Sequence, residues 1–387
     1  MLSLKGPAKT SPHRHFILLS LARGAWGEDM RSAWGFWIAL ALLPGLALAR
    51  GHAPRAHRPS PPPWPPPQTA PRICEEECLD GDVDKVLQAM MDHDPSHAPL
   101  ASDVRYTENG QAKAPGQGLW ATASAIAIEG DGLARLGPHS SAYRLYFADP
   151  ATGQGAYFGA FTENGAPGMM MLRLKAGAGK ISEIETVIVR QEPAAAAAGQ
   201  TKLEPEFDPK GFDEPEATLL AAHELWAPEI MAAAANRYFD GMEKSSSAGV
   251  PLGPDCIRRD NGVRTTGNPA LPPPDPANPA SRPFALGCAA QLDGGVFHGI
   301  LRVRRRILVV NKDRGLVMAV AMVDHGVQTP APAPAPAKKK KKAKPPAPPQ
   351  TVSTELMGVV FKMSDGRITR IEAIERPVAN DMSLGWS

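Results

Sequence analysis

The chain has 387 residues, 43% hydrophobic and 21% charged, a globular composition with room for about two domains. A net charge of +2 leaves no global field to draw in nucleic acid or acidic substrates. The 36 Gly and 41 Pro are unevenly spread, and most of the Pro falls in three tracts that read as linkers or loops.

Met30 and Arg31 precede an apolar run from Ala33 to Leu48, with Ala47, Leu48 and Ala49 before Arg50. A positive start, a short apolar run and an A-x-A site predict a signal peptide over 30–49. A membrane anchor would need about 20 apolar residues, more than this run offers. Residues 1–29 stand upstream of a complete leader and read as an extension outside the native start at Met30. The leader implies an exported protein, secreted or periplasmic, whose mature chain begins at Arg50.

Residues 50–72 hold Pro59 to Pro67 almost without a break, a polyproline-type spacer in which Trp64 is incidental. From 73 to 91 the pattern turns helical: Cys74, Cys78, Leu79, Val83, Val86, Leu87, Met90 and Met91 recur at three-four spacing. A strand at Val104–Thr107 leads into a Gly-rich turn and Trp120. Ala123–Ile128 reads as short helix or strand. Strands follow at Tyr143–Phe147, Gly155–Phe161, Met169–Leu174 and Lys180–Val189.

Residues 191–215 read as a linker. A second helical stretch opens at Glu216, carries Ala221, Leu225, Ile230, Ala234 and Tyr238 on its apolar side, and is expected to break at Pro228. Strands return at Phe297–Val303, Ile307–Val310, Leu316–Val323, Leu356–Lys362 and Arg367–Ile374, followed by a tail over 377–387.

The two halves align. Arg105-Tyr-Thr-Glu-Asn-Gly110 has an echo in Arg259-Asp-Asn-Gly262, and Lys180–Val187 matches Arg367–Ile374 in character at each position. The offset grows from 152 at Asn109 and Asn261 to 161 at Gly165 and Gly326, then to 187 at Ile181 and Ile368. The steps fall at the proline-rich insertions 270–283 and 329–350, which surface loops of a duplicated fold tolerate. Helices followed by a bent antiparallel sheet predict an α+β class: two tandem cone-shaped domains, 73–190 and 216–376.

The runs HDPSHAPLASDVRYTENGQ, GQGLW, YRLYFADPATGQGAYFGAFTENG and LRLKAGAGKISEIETV resemble the nuclear-transport-factor-2-like, SnoaL-like proteins, in particular a secreted subfamily from bacteria and fungi. The second half, from CIRRDNGVRTTGNP to RRRILVVNKDRGLVMAVAMVDHG, resembles that subfamily's domain of unknown function. The resemblance implies the cone fold. It implies no single reaction, because the superfamily spans isomerases, cyclases, dehydratases, epoxide hydrolases and binding modules.

Cys74, Cys78, His93 and His97 mimic zinc-finger spacing, but a helix between the pairs would hold them some 20 Å apart. No metal or cofactor is expected. A disulfide between Cys74 and Cys78 and a pair of packed thiols both remain open. Cys256 and Cys288 flank the 270–283 insertion. A bridge there would pin the loop in an oxidising compartment, and two buried thiols are the alternative. Ala176–Ile181 lacks the first Gly and the Ser or Thr of a phosphate loop. Lys338–Lys344 is a solvated run that in an exported protein suits an anionic envelope polymer better than nucleic acid.

No local catalytic signature appears. Asp260, His298 and His325 are the candidates for proton transfer, since burial in an apolar cone tunes such groups toward neutral pH. Arg258 and Arg264 in the second cone, with Tyr106 and Trp120 in the first, are the candidates for binding a small hydrophobic or anionic ligand. Three readings follow: a small-molecule-binding or structural protein, a cofactor-independent isomerase, lyase or hydrolase, and an envelope interaction protein working through Lys338–Lys344. The sequence sets no oligomeric state.

Overall fold

Helix α1, Glu76–Met91, buries Leu79, Val83, Val86, Leu87 and Met90, one stripe at three-four spacing, and opens with Glu76 and Glu77 where the helix dipole favours acids. The computed structural model describes residues 75–128, 130–136, 141–191, 207–208, 210–211, 219–277, 281–326 and 351–386. The expected leader, the 50–72 spacer, Cys74, Glu216 and Lys338–Lys344 lie outside them.

After α1 the first module continues as β1 (Leu100–Glu108), β2 (Gln111–Lys113), α2 (Leu119–Thr122), β3 (Ala123–Ile126), α3 (Asp131–Arg135), β4 (Arg144–Asp149), β5 (Gln154–Glu163), β6 (Ala166–Gly177) and β7 (Lys180–Arg190). The second comprises α4 (Pro228–Lys244), β8 (Leu252–Asp260), β9 (Val263–Arg264), α5 (Cys288–Asp293), β10 (Ile300–Asn311), β11 (Leu316–Gly326), β12 (Thr351–Ser364) and β13 (Arg367–Val378). The class is α+β, two cones in tandem.

The second helix begins later than its sequence suggests. Residues 219–227 are not helical, and Pro228 is the first helical residue rather than a break. Its ring holds the extended Ala227 outside the helix, and its missing N–H is one that a first turn leaves unbonded anyway.

Each sheet repeats one topology. The first runs β2-β1-β7-β6-β5, with β3 and β4 both on β5; the second, read from its other edge, runs β9-β8-β13-β12-β11-β10. Neighbours are antiparallel except β1 with β7 and β8 with β13. Bulges recur at matching places, between Lys175 and Ala176 and between Lys362 and Met363, and bend the strands as a cone requires.

The helices match at a constant spacing. Leu79 and Met231, Asp82 and Ala234, Val83 and Ala235, Val86 and Tyr238, Leu87 and Phe239, and Met90 and Met242 are pairs of buried residues, each 152 positions apart. Duplication explains this economically, because two unrelated domains would share neither the offset nor the bulges.

Side chains alternate along the strands. On β5, Tyr157 and Phe161 face α1 while Ala156, Phe158 and Ala160 face away; on β11, Val317, Ala319, Ala321 and Val323 join the α4 core while Leu316, Met318, Val320 and Met322 face away. The outward faces of the two sheets meet in a third core that also takes Met169, Met171, Leu356, Val360 and Ile374. At about 1.5–3 kcal/mol for each large side chain removed from water, this seam holds the modules firmly together. Both fall in one compact unit.

Bulk is exchanged between the two cones. Strand register pairs Tyr157 with Leu172 and Ala319 with Val359, and Phe161 with Gly168 and Val323 with Glu355, so Tyr157 corresponds to Ala319 and Phe161 to Val323. At these equivalent positions the first module carries rings on the sheet and the second carries Tyr238 and Phe239 on the helix, where Phe361 of β12 meets both edge-on. Gly159 and Gly168 make this possible: a Cβ there would fall 2.1 Å from the Tyr157 hydroxyl and 2.2 Å from the Phe161 ring.

Candidate functional site

The strands before the Asn109–Gly110 and Asn261–Gly262 turns each end on a buried carboxylate, Glu108 in β1 and Asp260 in β8. Strand alternation puts the residue two before it on the same face, Tyr106 and Arg258 respectively. These are equivalent positions occupied by different chemistry.

In the second module Arg258 is buried and its guanidinium is held on several sides. Nε donates to Asp260 Oδ1 at 2.9 Å, and Nη2 lies 2.7 Å from the same oxygen. Nη1 donates to the Tyr238 hydroxyl at 2.9 Å, and Glu375 stands 3.8 Å away. The Phe297 ring lies 5.3 Å from the guanidinium carbon. Asp260 Oδ2 accepts from the Thr265 hydroxyl at 2.5 Å, and the Thr266 hydroxyl accepts the Arg258 N–H at 2.7 Å. Gln291 of α5 in turn donates to the Thr265 carbonyl.

Burial lowers the proton affinity of Arg258, but Asp260, Tyr238 and Glu375 together hold it above the ordinary arginine range. Burial pushes the Tyr238 phenol up, against the lowering effect of Arg258, so it stays protonated. That phenol accepts from Arg258, and among the described residues no acceptor takes its own proton. Its ring meets Phe361 edge-on at 5.5 Å and Phe239 at 6.1 Å.

The Cys256–Cys288 disulfide ties β8 to the start of α5. It fixes the helix carrying Gln291 beside the loop carrying Thr265. Cys78 is also disulfide-bonded.

The other expected residues lie apart. His298 is exposed in the turn before β10. His325 sits at the end of β11, with Nε2 3.2 Å from Glu355 Oε2. Arg264 on β9 donates to the Thr266 carbonyl at 3.0 Å. Asp260 therefore meets Arg258 and Thr265, while each histidine has surroundings of its own.

In the first module the Tyr106 hydroxyl donates to Glu108 Oε2 at 3.1 Å, and the Leu119 N–H donates to the same oxygen at 2.7 Å. Arg190 reaches Glu108 at 3.5 Å while pairing with Glu163. Trp120 stacks edge-on with Tyr106 at 5.5 Å, and its buried indole N–H has no partner among the described residues. Burial, then Glu108, pushes the Tyr106 phenol up.

Tyr238, Thr265, Thr266, Gln291, Phe297 and Glu375 complete the second site and were not legible as site residues. Tyr238 reads from sequence as one more apolar helix position. The available signal was the repeat itself, which sets a phenol where the first copy has Val86.

The profile of a domain of unknown function, DUF8021, matches residues 227–375, the span holding this cluster. Solved structures with a similar arrangement include one described as a candidate ketosteroid isomerase from Kribbella flavida, 13% identical, covering 40% of this chain and 82% of that one, with a TM-score of 0.24. A candidate SnoaL-like polyketide cyclase from Jannaschia is 13% identical over 40% of this chain and 88% of that one, at a TM-score of 0.23. A candidate polyketide cyclase from Xanthomonas campestris is 16% identical over 38% and 90%, at 0.23. No curated protein matches the chain.

Proposed function

We propose that the protein is an exported binding protein whose second module holds a small, largely apolar, neutral molecule through one hydrogen-bond acceptor such as a carbonyl. The observation that carries this reading is the 2.9 Å bond from Arg258 to the Tyr238 hydroxyl. A phenol that accepts from a guanidinium becomes a stronger donor, and in this reading its proton is the one given to the ligand. The surroundings, with Phe239, Phe361, Met357 and Val359, suit apolar matter.

The charges argue for a neutral ligand. Asp260 already balances Arg258, and Glu375 lies close by, so an added carboxylate would meet no free positive charge. They also argue for binding rather than turnover. Both oxygens of Asp260 are engaged, by Arg258 and by Thr265, so a general-base role would first require breaking one of these bonds.

The test is a panel of small ketones, lactones and aromatic acids, titrated by ligand-observed NMR. A carbonyl compound should bind the parent and lose about tenfold or more in affinity to Tyr238→Phe, as removing one such hydrogen bond implies. Binding unchanged in Tyr238→Phe but abolished in Tyr106→Phe would place the site in the first module. Turnover of any bound compound would replace the binding reading with an enzymatic one.

A further inference from the structure

The chain crosses between its modules twice, and the crossings mirror each other. Residues following β7 lie against the Asn261–Gly262 turn: the Asp208 N–H donates to the Asn261 carbonyl at 2.9 Å, and Arg259 Nη1 donates to the Gly211 carbonyl at 2.8 Å. Residues following β13 lie against the Asn109–Gly110 turn. The Trp386 indole N–H donates to the Thr107 hydroxyl at 2.9 Å, and a Cβ on Gly385 would stand 3.2 Å from the Gly110 carbonyl. Thr107 and Arg259 are equivalent positions, so each module presents the same site to the segment that leaves the other.

The segment 379–386 joins no sheet. It is held by side chains: Met382 and Leu384 touch the shared core, Arg304 donates to the Met382 carbonyl at 2.7 Å, and Arg306 donates to the Leu384 carbonyl at 3.2 Å. The exposed Arg105 stacks on the Trp386 ring at 4.3 Å, and the buried Arg173 lies 5.5 Å from it. Beneath this cover Arg306 also pairs with the buried Glu185. Three atoms of this layer, Arg173 Nη1, Glu185 Oε2 and Arg306 Nε, have no hydrogen-bond partner among the described residues. Unmet polar groups gain hydration when uncovered, which offsets part of the cost of lifting the segment.

We propose that residues 382–386 form a dissociable strap, and that the outer face of β1 is a docking site for a short peptide with an aromatic residue. The indole is recognised by Thr107 through its N–H and by Arg105 through its face. The occupant is this chain's own segment. When it lifts, the Glu185–Arg306 layer opens to water and the Asn109–Gly110 turn loosens, while the second module, latched at Asp208 and Gly211, keeps its protection.

Two experiments test this. Amide exchange on the full chain with Trp386→Ala should quicken about tenfold or more at residues 105–110 and stay unchanged at 258–264, as expected for sub-global opening. A chain ending at Val378 should bind a synthetic peptide of residues 379–387 saturably, recover its protection at 105–110, and bind more weakly with Arg105→Glu. If the shortened chain fails to fold, the Trp386→Ala exchange decides alone. Unchanged exchange at 105–110 in Trp386→Ala, or a folded shortened chain that ignores the peptide, would overturn the proposal.

Discussion

Asn109 and Asn261 make the same pair of bonds from the same backbone conformation. Each has positive φ, 52° and 50°. Each gives its N–H to the last strand, to Thr186 and Ala373, and accepts through Oδ1 from a residue two further on, Ile188 and Glu375. The turn thus fixes the parallel pair β1 with β7 and β8 with β13.

Asn261→Ala should therefore cost about 2–3 kcal/mol, from left-handed strain and the lost side-chain bonds. Asn261→Gly keeps the backbone freedom and should cost less. Urea unfolding measures both, and equal costs would show that the side-chain bonds, not the conformation, dominate.

Asp260→Ala leaves Arg258 buried beside Tyr238 without its main counter-charge, a loss of about 3–5 kcal/mol. Adding Arg258→Met should recover much of it, because an apolar pair needs no compensation. A double variant no more stable than the single one would mean that Asp260 acts chiefly through Thr265.

Asp80 on α1 is pushed from an ordinary 3.8 up to about 6, first by burial and then by Glu76, with Arg314 opposing and Asp84 and Glu77 adding to the rise. A raised carboxyl favours the fold when protonated. Its contribution is complete below about pH 4 and lost as pH climbs through about 6. Asp80→Asn should raise the thermal midpoint at pH 7.5 and leave it nearly unchanged at pH 3.5. Calorimetry at both values decides, and an equal shift at each would exclude titration as the cause.

The Cys256–Cys288 bridge closes a separation of 32 residues. Loop-closure entropy assigns it about 3–4 kcal/mol. Unfolding of Cys288→Ser, compared with parent protein under oxidising and reducing conditions, should show that loss in the oxidised parent comparison alone. A Cys288→Ser midpoint equal to the oxidised parent would remove the bridge from the stability account.

The duplication was legible because strand alternation and the Asn-Gly turns are local patterns, and the helical stripe at 79, 83, 86, 87 and 90 reads directly. The helix start is harder to read: Glu216 to Leu225 are helix-compatible residue types, and Pro228 suits a break inside a helix or its first residue equally until the extended Ala227 before it settles the choice. Arg258 and Asp260 were found as neighbours in sequence. Tyr238 and Glu375 were not, since they reach Arg258 from separations of 20 and 117 residues, through tertiary closure. The segment after β13 gave no signal at all: the partners of its Trp386, Thr107 and Arg105, lie in the other half of the chain.

Tandem copies of one fold carry a hazard during folding, since a helix from one copy meets two sheets of nearly the same shape. The exchange of bulk between Tyr157 and Phe161 on one side and Tyr238 and Phe239 on the other removes that ambiguity. Were α4 to dock on the first sheet, four rings would compete for the same space; α1 on the second sheet would leave a void beside Ala319 and Val323. Each error is disfavoured by sterics in one case and by lost contact in the other. Each half of the chain thus proofreads its own assembly, through ring volume that the two copies have divided differently.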